Sequence, residues 1–75
     1  MGWKVPDSLE AEVCRRIGLD PTEVGVTANQ TTLVLLVYKT REEIIIPVEA
    51  CIAPKIPYSV YDNQGRLKSQ APGSA

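Results

Sequence analysis

Cys14 and Cys51 are the only soft nucleophiles in this sequence. A reactive thiol needs a neighbouring cation or a helix N-terminus to lower its pKa. Cys14 precedes Arg15, but it lies towards the C-terminal end of a predicted helix, where the helix dipole disfavours a thiolate. The chain also lacks histidine, the side chain most suited to acid–base chemistry near neutral pH. We therefore expect two buried structural thiols and no enzymatic activity.

The carboxylates Glu42, Glu43 and Glu49 could suggest acid–base catalysis or a site for a hard cation. Glu42 and Glu43 are neighbours on a predicted strand or turn, so their side chains point to different faces. None of the three occurs with a further ligand at a spacing typical of metal sites. We interpret them as solvated charges near a hairpin tip, with Glu42 opposite Lys39, and we expect no metal ion and no cofactor.

Three basic residues near the C-terminus, Lys55, Arg66 and Lys68, could contact phosphates, and Tyr58 and Tyr61 could stack on bases. This pattern gives an alternative function, a small nucleic-acid-binding regulator. A nucleic-acid footprint usually shows a concentrated basic patch. The net charge of the chain is −1 and its pI is about 5.3. The alternative therefore ranks below a role in protein–protein interaction.

The chain of 75 residues is predicted to form one small domain over residues 1–68, followed by a flexible tail over 69–75. A chain of this size buries only about 60% of its unfolded surface, so its core is small. No apolar stretch approaches the roughly 20 residues that span a bilayer. The opening sequence MGWKVPDSLE lacks the features of a signal peptide. We expect a cytoplasmic protein with reduced thiols and no membrane partner.

The N-terminal part of the chain predicts one helix over residues 8–17. Asp7 and Glu10 have the spacing of a capping box, in which each side chain accepts a hydrogen bond from the other residue's amide. Gly18 is the expected residue beyond the C-terminal end. An apolar stripe at helical spacing is formed by Leu9, Val13 and Ile17. Three turns are too few for a stable isolated helix, so this stripe must pack on something.

Short apolar runs rich in β-branched residues predict an antiparallel meander of three strands, over residues 24–28, 31–39 and 43–53. Turns at Asn29-Gln30 and Thr40-Arg41 would pair Val26 with Leu33 and Val37 with Ile44. Both turns place the same apolar residues on one face, namely Val24, Val26, Leu33, Leu35, Val37, Ile44, Ile46 and Val48. The predicted fold is therefore α+β, with the helix packed on this face.

Pro47 predicts that the third strand lies at an edge of the sheet, because proline has no amide to donate. Beyond it, residues 58–61 alternate weakly, residues 62–65 form a strong turn signal, and residues 66–68 could pair back. A small C-terminal hairpin could therefore follow the meander.

The side of the sheet away from the helix, called here the second face, is also apolar in its middle. It carries Val34, Leu36 and Tyr38 on one strand, and Glu43, Ile45, Pro47 and Glu49 on the next. An exposed patch of this kind usually marks an interface. We expect it to be covered by the C-terminal segment with Tyr58 and Tyr61, by a second copy in a dimer, or by a larger protein. The chain is thus predicted to be a small interaction or assembly module, either a homo-oligomer or an accessory subunit or adaptor.

Overall fold

The computed structural model describes residues 3–71 of the chain. One helix, α1, spans Ser8–Arg16. Five strands follow: β1 Val24–Ala28, β2 Thr32–Val37, β3 Glu42–Pro47, β4 Tyr58–Tyr61 and β5 Leu67–Ala71. They form one antiparallel sheet in the order β1-β2-β3-β4-β5, with 3₁₀ turns at Pro21–Glu23 and Val48–Ala50. The fold is α+β as predicted, but the three-stranded meander and the separate hairpin are joined into a single five-stranded sheet.

Helix α1 has the predicted signals at both ends. Asp7 Oδ1 accepts a hydrogen bond from the Glu10 amide at 2.8 Å, and Glu10 Oε1 accepts one from the Asp7 amide at 3.0 Å. At the other end Gly18 has φ +88°, a left-handed conformation that glycine adopts without strain. The Leu19 amide then bonds to the Cys14 carbonyl at 2.8 Å, which satisfies a carbonyl of the last turn.

The core lies between α1 and the face of the sheet that we call the helix side. Helix α1 contributes Val13 and Cys14, and the connection between β3 and β4 contributes Cys51 and Ile56. The buried strand residues are Val24, Val26, Leu33, Leu35, Ile44 and Ile46, with Val37 partly buried against them. These are the residues predicted for the core face, with one exception. Val48 begins a 3₁₀ turn and is 39% exposed, so the predicted third strand over 43–53 is too long.

The register between β1 and β2 differs from the prediction by two residues. Val26 lies opposite Leu35, where Leu33 had been expected. The cause is the Asn29 side chain, whose Oδ1 accepts hydrogen bonds from the amides of Thr31 and Thr32 at 2.8 Å each. This moves the turn one residue along the chain. A shift of two residues leaves every side chain on its face, so the core is unchanged.

The register between β2 and β3 is also two residues from the prediction, because Leu35 lies opposite Ile44. The two-residue turn predicted at Thr40-Arg41 is wrong, and a longer loop over residues 38–41 takes its place. The Arg41 amide closes this loop on the Val37 carbonyl at 2.7 Å. Arg41 has φ +64°, an uncommon conformation for a residue with a side chain.

Strand β3 is not at an edge, so the prediction from Pro47 is wrong. It lies between β2 and β4. Pairing with β4 involves only Glu43, Ile44 and Ile45, and it ends before Pro47 is reached. A proline at the end of a central strand therefore removes no hydrogen bond from the β3–β4 ladder.

The C-terminal hairpin is formed by β4 and β5, and it extends the main sheet. Asp62 Oδ1 fixes its turn by accepting hydrogen bonds from the Gln64 and Arg66 amides at 2.9 Å each. Strand β5 runs to Ala71 and so includes the first residues of the segment predicted as a tail. The rest of that segment, residues 72–75, lies outside the described residues.

Arg16 ties the end of α1 to the connection between β3 and β4. Its guanidinium donates to the backbone carbonyls of Cys51 at 3.4 Å and Pro54 at 2.8 Å, and also to that of Ala53. Three carbonyls of an irregular segment thereby gain a charged donor. The connection is held on the helix side, where Ile56 enters the core.

Truncation of Leu35 should be strongly destabilising, because this side chain is fully buried in the core. We expect Leu35→Ala to lower the free energy of unfolding by about 2–5 kcal/mol, measured by urea denaturation. The control is Leu67→Ala on the outermost strand, where the side chain is 51% exposed. It should change the free energy by no more than about 0.5 kcal/mol. A Leu35→Ala effect below about 1 kcal/mol would contradict the central position of this residue.

Candidate functional site

The second face is built from residues that alternate with the buried ones along each strand. The observed register aligns them in rows that cross the sheet. One row contains Leu36, Glu43, Tyr61 and Leu67, and the next contains Val34, Ile45, Ser59 and Gln70. Gly25 and Thr27 extend these rows onto β1. The face is therefore apolar on β2, mixed on β3 and β4, and polar at several edge positions.

Little of the described chain lies over the second face. Helix α1 and the β3–β4 connection contribute their buried residues to the core on the helix side. The C-terminal hairpin does not cover the second face, because β4 pairs edge to edge with β3 and places Ser59 opposite Ile45. The expectation that this segment folds back over the face is therefore wrong. The face is wider than predicted, since two further strands extend it.

Gly25 is covered on the second face by two aromatic residues. Lys4 pairs with Val26 through two backbone hydrogen bonds of 2.8 and 2.9 Å, which brings Trp3 next to Gly25. The ring of Tyr38 lies over the same glycine. A methyl group at position 25 would come within 2.8 Å of Tyr38 Cζ and 3.0 Å of Trp3 Cβ. Only glycine gives the two aromatic residues this close approach.

The structure brings together most of the side chains predicted for the interface. Three of them lie in the middle of the second face and are half-buried by their neighbours: Val34, Leu36 and Ile45. Tyr38, just beyond β2, is 48% exposed. Tyr61 joins the set from β4, where it lies opposite Glu43.

Tyr58 lies on the other side of the sheet from the predicted interface. It packs against the core cluster on the helix side. Tyr58 and Tyr61 are three positions apart on β4, and an odd separation along a strand places two side chains on opposite faces. The predicted pair of tyrosines is therefore divided between the two faces.

The basic residues of the alternative function are spread over three places. Lys55 belongs to the β3–β4 connection, and Arg66 lies in the turn before β5. Lys68 forms an ion pair with Glu42, which lies opposite Val37 and so on the helix side. The hydrogen bond from Lys68 lowers the pKa of the Glu42 carboxyl. Lys68, and not the predicted Lys39, is therefore the partner of Glu42.

Both cysteines are free thiols, buried in the core. Burial raises the pKa of each above its ordinary value, and the nearby carboxylate of Glu10 adds to the effect. For Cys14 the positive charge of Arg15 opposes the shift without reversing it. Such thiols are poor nucleophiles at neutral pH.

Within residues 3–71, no group of three His, Cys, Asp or Glu side chains could hold a metal ion. In the same part of the chain, α1 is too short and too polar to cross a membrane. Comparisons with protein-family models, with curated proteins and with solved structures gave no match. The candidate site is therefore described by its own geometry alone.

Several members of the second face were not predicted from the sequence, among them Trp3, Gly25 and Leu67. Trp3 reaches the face through the bridge between Lys4 and Val26, a contact for which the local sequence gives no signal. Gly25 interrupts an apolar strand, and such a glycine often marks a close approach of another group. Leu67 joins the face only because β5 belongs to the main sheet.

The raised pKa values of the thiols predict a loss of stability at high pH. The folded protein holds the thiol proton more tightly than the unfolded chain, so the stabilisation is complete below the ordinary value of 9.0 and is lost as the pH rises through the folded value. Between neutral pH and pH ~10.5, the free energy of unfolding measured by urea denaturation should therefore fall more steeply for the wild type than for Cys14→Ala. Equal slopes would contradict the shift. Rapid labelling of either thiol in the folded protein would contradict burial.

Gly25→Ala should displace the ring of Tyr38, because the added methyl group occupies the space of the ring. Trp3 is the only tryptophan, so its fluorescence emission reports the change directly. We expect a shifted emission in Gly25→Ala and a smaller difference when the same change is made in a Tyr38→Ala background. An emission spectrum unchanged by Gly25→Ala would mean that the two aromatic residues do not pack over position 25.

Proposed function

We propose that this chain is a small non-catalytic protein interaction module and that the second face is its binding surface. The observation that carries the proposal is the position of the C-terminal hairpin. The hairpin pairs beside β3, so the segment that could have covered the face makes it wider. A sheet with one face packed on a helix and the other apolar in its middle is suited to bind a partner.

The driving force for binding is the burial of apolar side chains that the fold leaves accessible. Full burial of one such side chain contributes roughly 1.5–3 kcal/mol. The side chains of Val34, Leu36 and Ile45 are already half-buried. Covering each of them with a partner therefore contributes only part of that free energy. Tyr38 and Trp3 are 48% and 37% exposed, so a partner can bury more of their surface. Aromatic side chains of this kind are enriched at protein interfaces.

The surroundings of the face favour a protein partner over a nucleic acid. The three cations of the alternative function lie in separate parts of the chain, and Lys68 is neutralised by Glu42. A nucleic acid would need a continuous basic surface. We propose that the module works in the cytoplasm, where its two free thiols would stay reduced.

The substitution Leu36→Lys tests the proposal. Lysine at this position lies opposite Glu43, so the sheet gains an ion pair and should stay folded. A photo-crosslinking residue is placed at position 38 of the otherwise wild-type protein. In cells, it should capture a partner or a second copy. We expect Leu36→Lys to abolish this capture while the circular dichroism spectrum is unchanged.

The matched control is Ile52→Lys, which places the same charge at an apolar side chain that is 78% exposed outside the sheet. It should leave the capture intact. Loss of capture in Ile52→Lys but not in Leu36→Lys would move the binding surface away from the second face. A wild-type protein that stays monomeric by light scattering and captures nothing would contradict the proposal as a whole.

A further inference from the structure

Glu43 is the one charged side chain at the strand positions of the second face within the described chain. It lies on the middle strand of the five, between Leu36 on β2 and Tyr61 on β4. The side chain is exposed, and its carboxylate forms no ion pair with any residue from 3 to 71. The neighbouring Glu42 differs, because it is held by Lys68 on the helix side.

A partner that covers the second face must therefore provide for this carboxylate. Removing an unpaired carboxylate from water is costly unless a cation and hydrogen bonds replace the water. We propose that the partner is a different protein chain, which presents a lysine or arginine to Glu43 between apolar side chains that pack on Leu36 and Tyr61. This inference rests on the proposed function, and it adds the chemistry of the partner.

The strand residues of a second copy do not supply that cation. Two sheets that pack face to face keep their strands roughly aligned, so a two-fold axis runs either along the strands or across them. An axis along the strands places the row of Glu43 on the same row of the second copy, which has no cation at its strand positions. An axis across the strands turns Glu43 towards the far end of β2 and β3, where Thr32 lies opposite Pro47. Neither arrangement places a basic strand residue opposite the carboxylate.

A nucleic acid does not supply the cation either, because its phosphates are negative. The nearest basic residues by sequence, Lys39 and Arg41, lie in the loop between β2 and β3 and not on the strands. Glu43 on the central strand of the face would repel a phosphate chain laid across it. A protein surface with a basic residue among apolar ones is complementary to the row formed by Leu36, Glu43 and Tyr61.

The first experiment removes the carboxylate and measures the molar mass by light scattering over a series of concentrations. The wild type should be monomeric throughout. Glu43→Val extends the apolar middle of the face towards the start of β3, and it should convert the protein to a dimer or larger assembly. Glu49→Val, the same change at an exposed glutamate in a 3₁₀ turn, should remain monomeric.

Two results of that experiment would overturn the inference. One is a Glu43→Val protein that stays monomeric, since the carboxylate would then not be what prevents self-association. The other is a wild-type dimer that Leu36→Lys dissociates. In that case the second face is an interface, so the proposed function stands, but its partner is a second copy.

The second experiment probes the required cation directly by NMR titration with two short peptides. One is N-acetyl-Leu-Arg-Leu-amide, and the other replaces arginine with the uncharged isostere citrulline. We expect the arginine peptide to shift the amide signals of Leu36, Glu43 and Tyr61, and the citrulline peptide to bind about two- to fivefold more weakly. In Glu43→Gln the two peptides should bind equally. Equal binding to the wild type, or no shift with the arginine peptide at millimolar concentration, would overturn the inference.

Discussion

Leu35 lies at the centre of the core, opposite Val26 on one side and Ile44 on the other, and it is completely buried. Strand β2 has a neighbour on both edges, so its alternation of side chains is fixed by what it must bury. Because Leu33 and Leu35 lie on the helix side, Val34 and Leu36 of the same strand must lie on the second face. The residues that close the core and the residues that make the second face apolar are therefore consequences of a single constraint. Both surfaces would be lost together if β2 shifted by one residue.

The division of residues between the two faces could be predicted from the sequence because it depends only on a period of two. The register could not be predicted in this way. A shift of two residues keeps each apolar side chain on its face, so the apolar pattern is equally satisfied by both pairings. The choice is made by turn chemistry, through the side chain of Asn29 in one hairpin and the left-handed conformation of Arg41 in the other. Each feature depends on a few hydrogen bonds that propensities do not specify.

The candidate site was predictable to the same extent as the sheet. Its middle, formed by Val34, Leu36 and Ile45, follows from the alternation of β2 and β3. Its outer part does not, because a four-residue segment such as β4 carries too weak a pattern to show whether it covers a face or extends an edge. Without β4, the outer edge of β3 would have unpaired amides and carbonyls. Pairing β4 with this edge satisfies more backbone hydrogen bonds than packing β4 across the side chains of the second face would. The prediction from Pro47 missed this pairing. In sequence, a proline that ends a central strand cannot be distinguished from a proline on an edge strand.

The order of the strands in the sheet has a consequence for how the domain forms and opens. Each strand pairs with its neighbour along the chain, so every ladder closes only a short loop, and the entropic cost of each step is small. Folds dominated by such local pairings form quickly. Within the described chain, α1 and the β3–β4 connection pack on the strands through the core, and hydrogen bonds or ion pairs also join Lys4 with Val26, Arg16 with the connection near Pro54, and Lys68 with Glu42. Of these contacts, only the Lys68 pair holds β5. An opening that begins at β5 can therefore proceed strand by strand while β2 and β3 remain paired, and the middle of the second face persists in partly opened states of the domain.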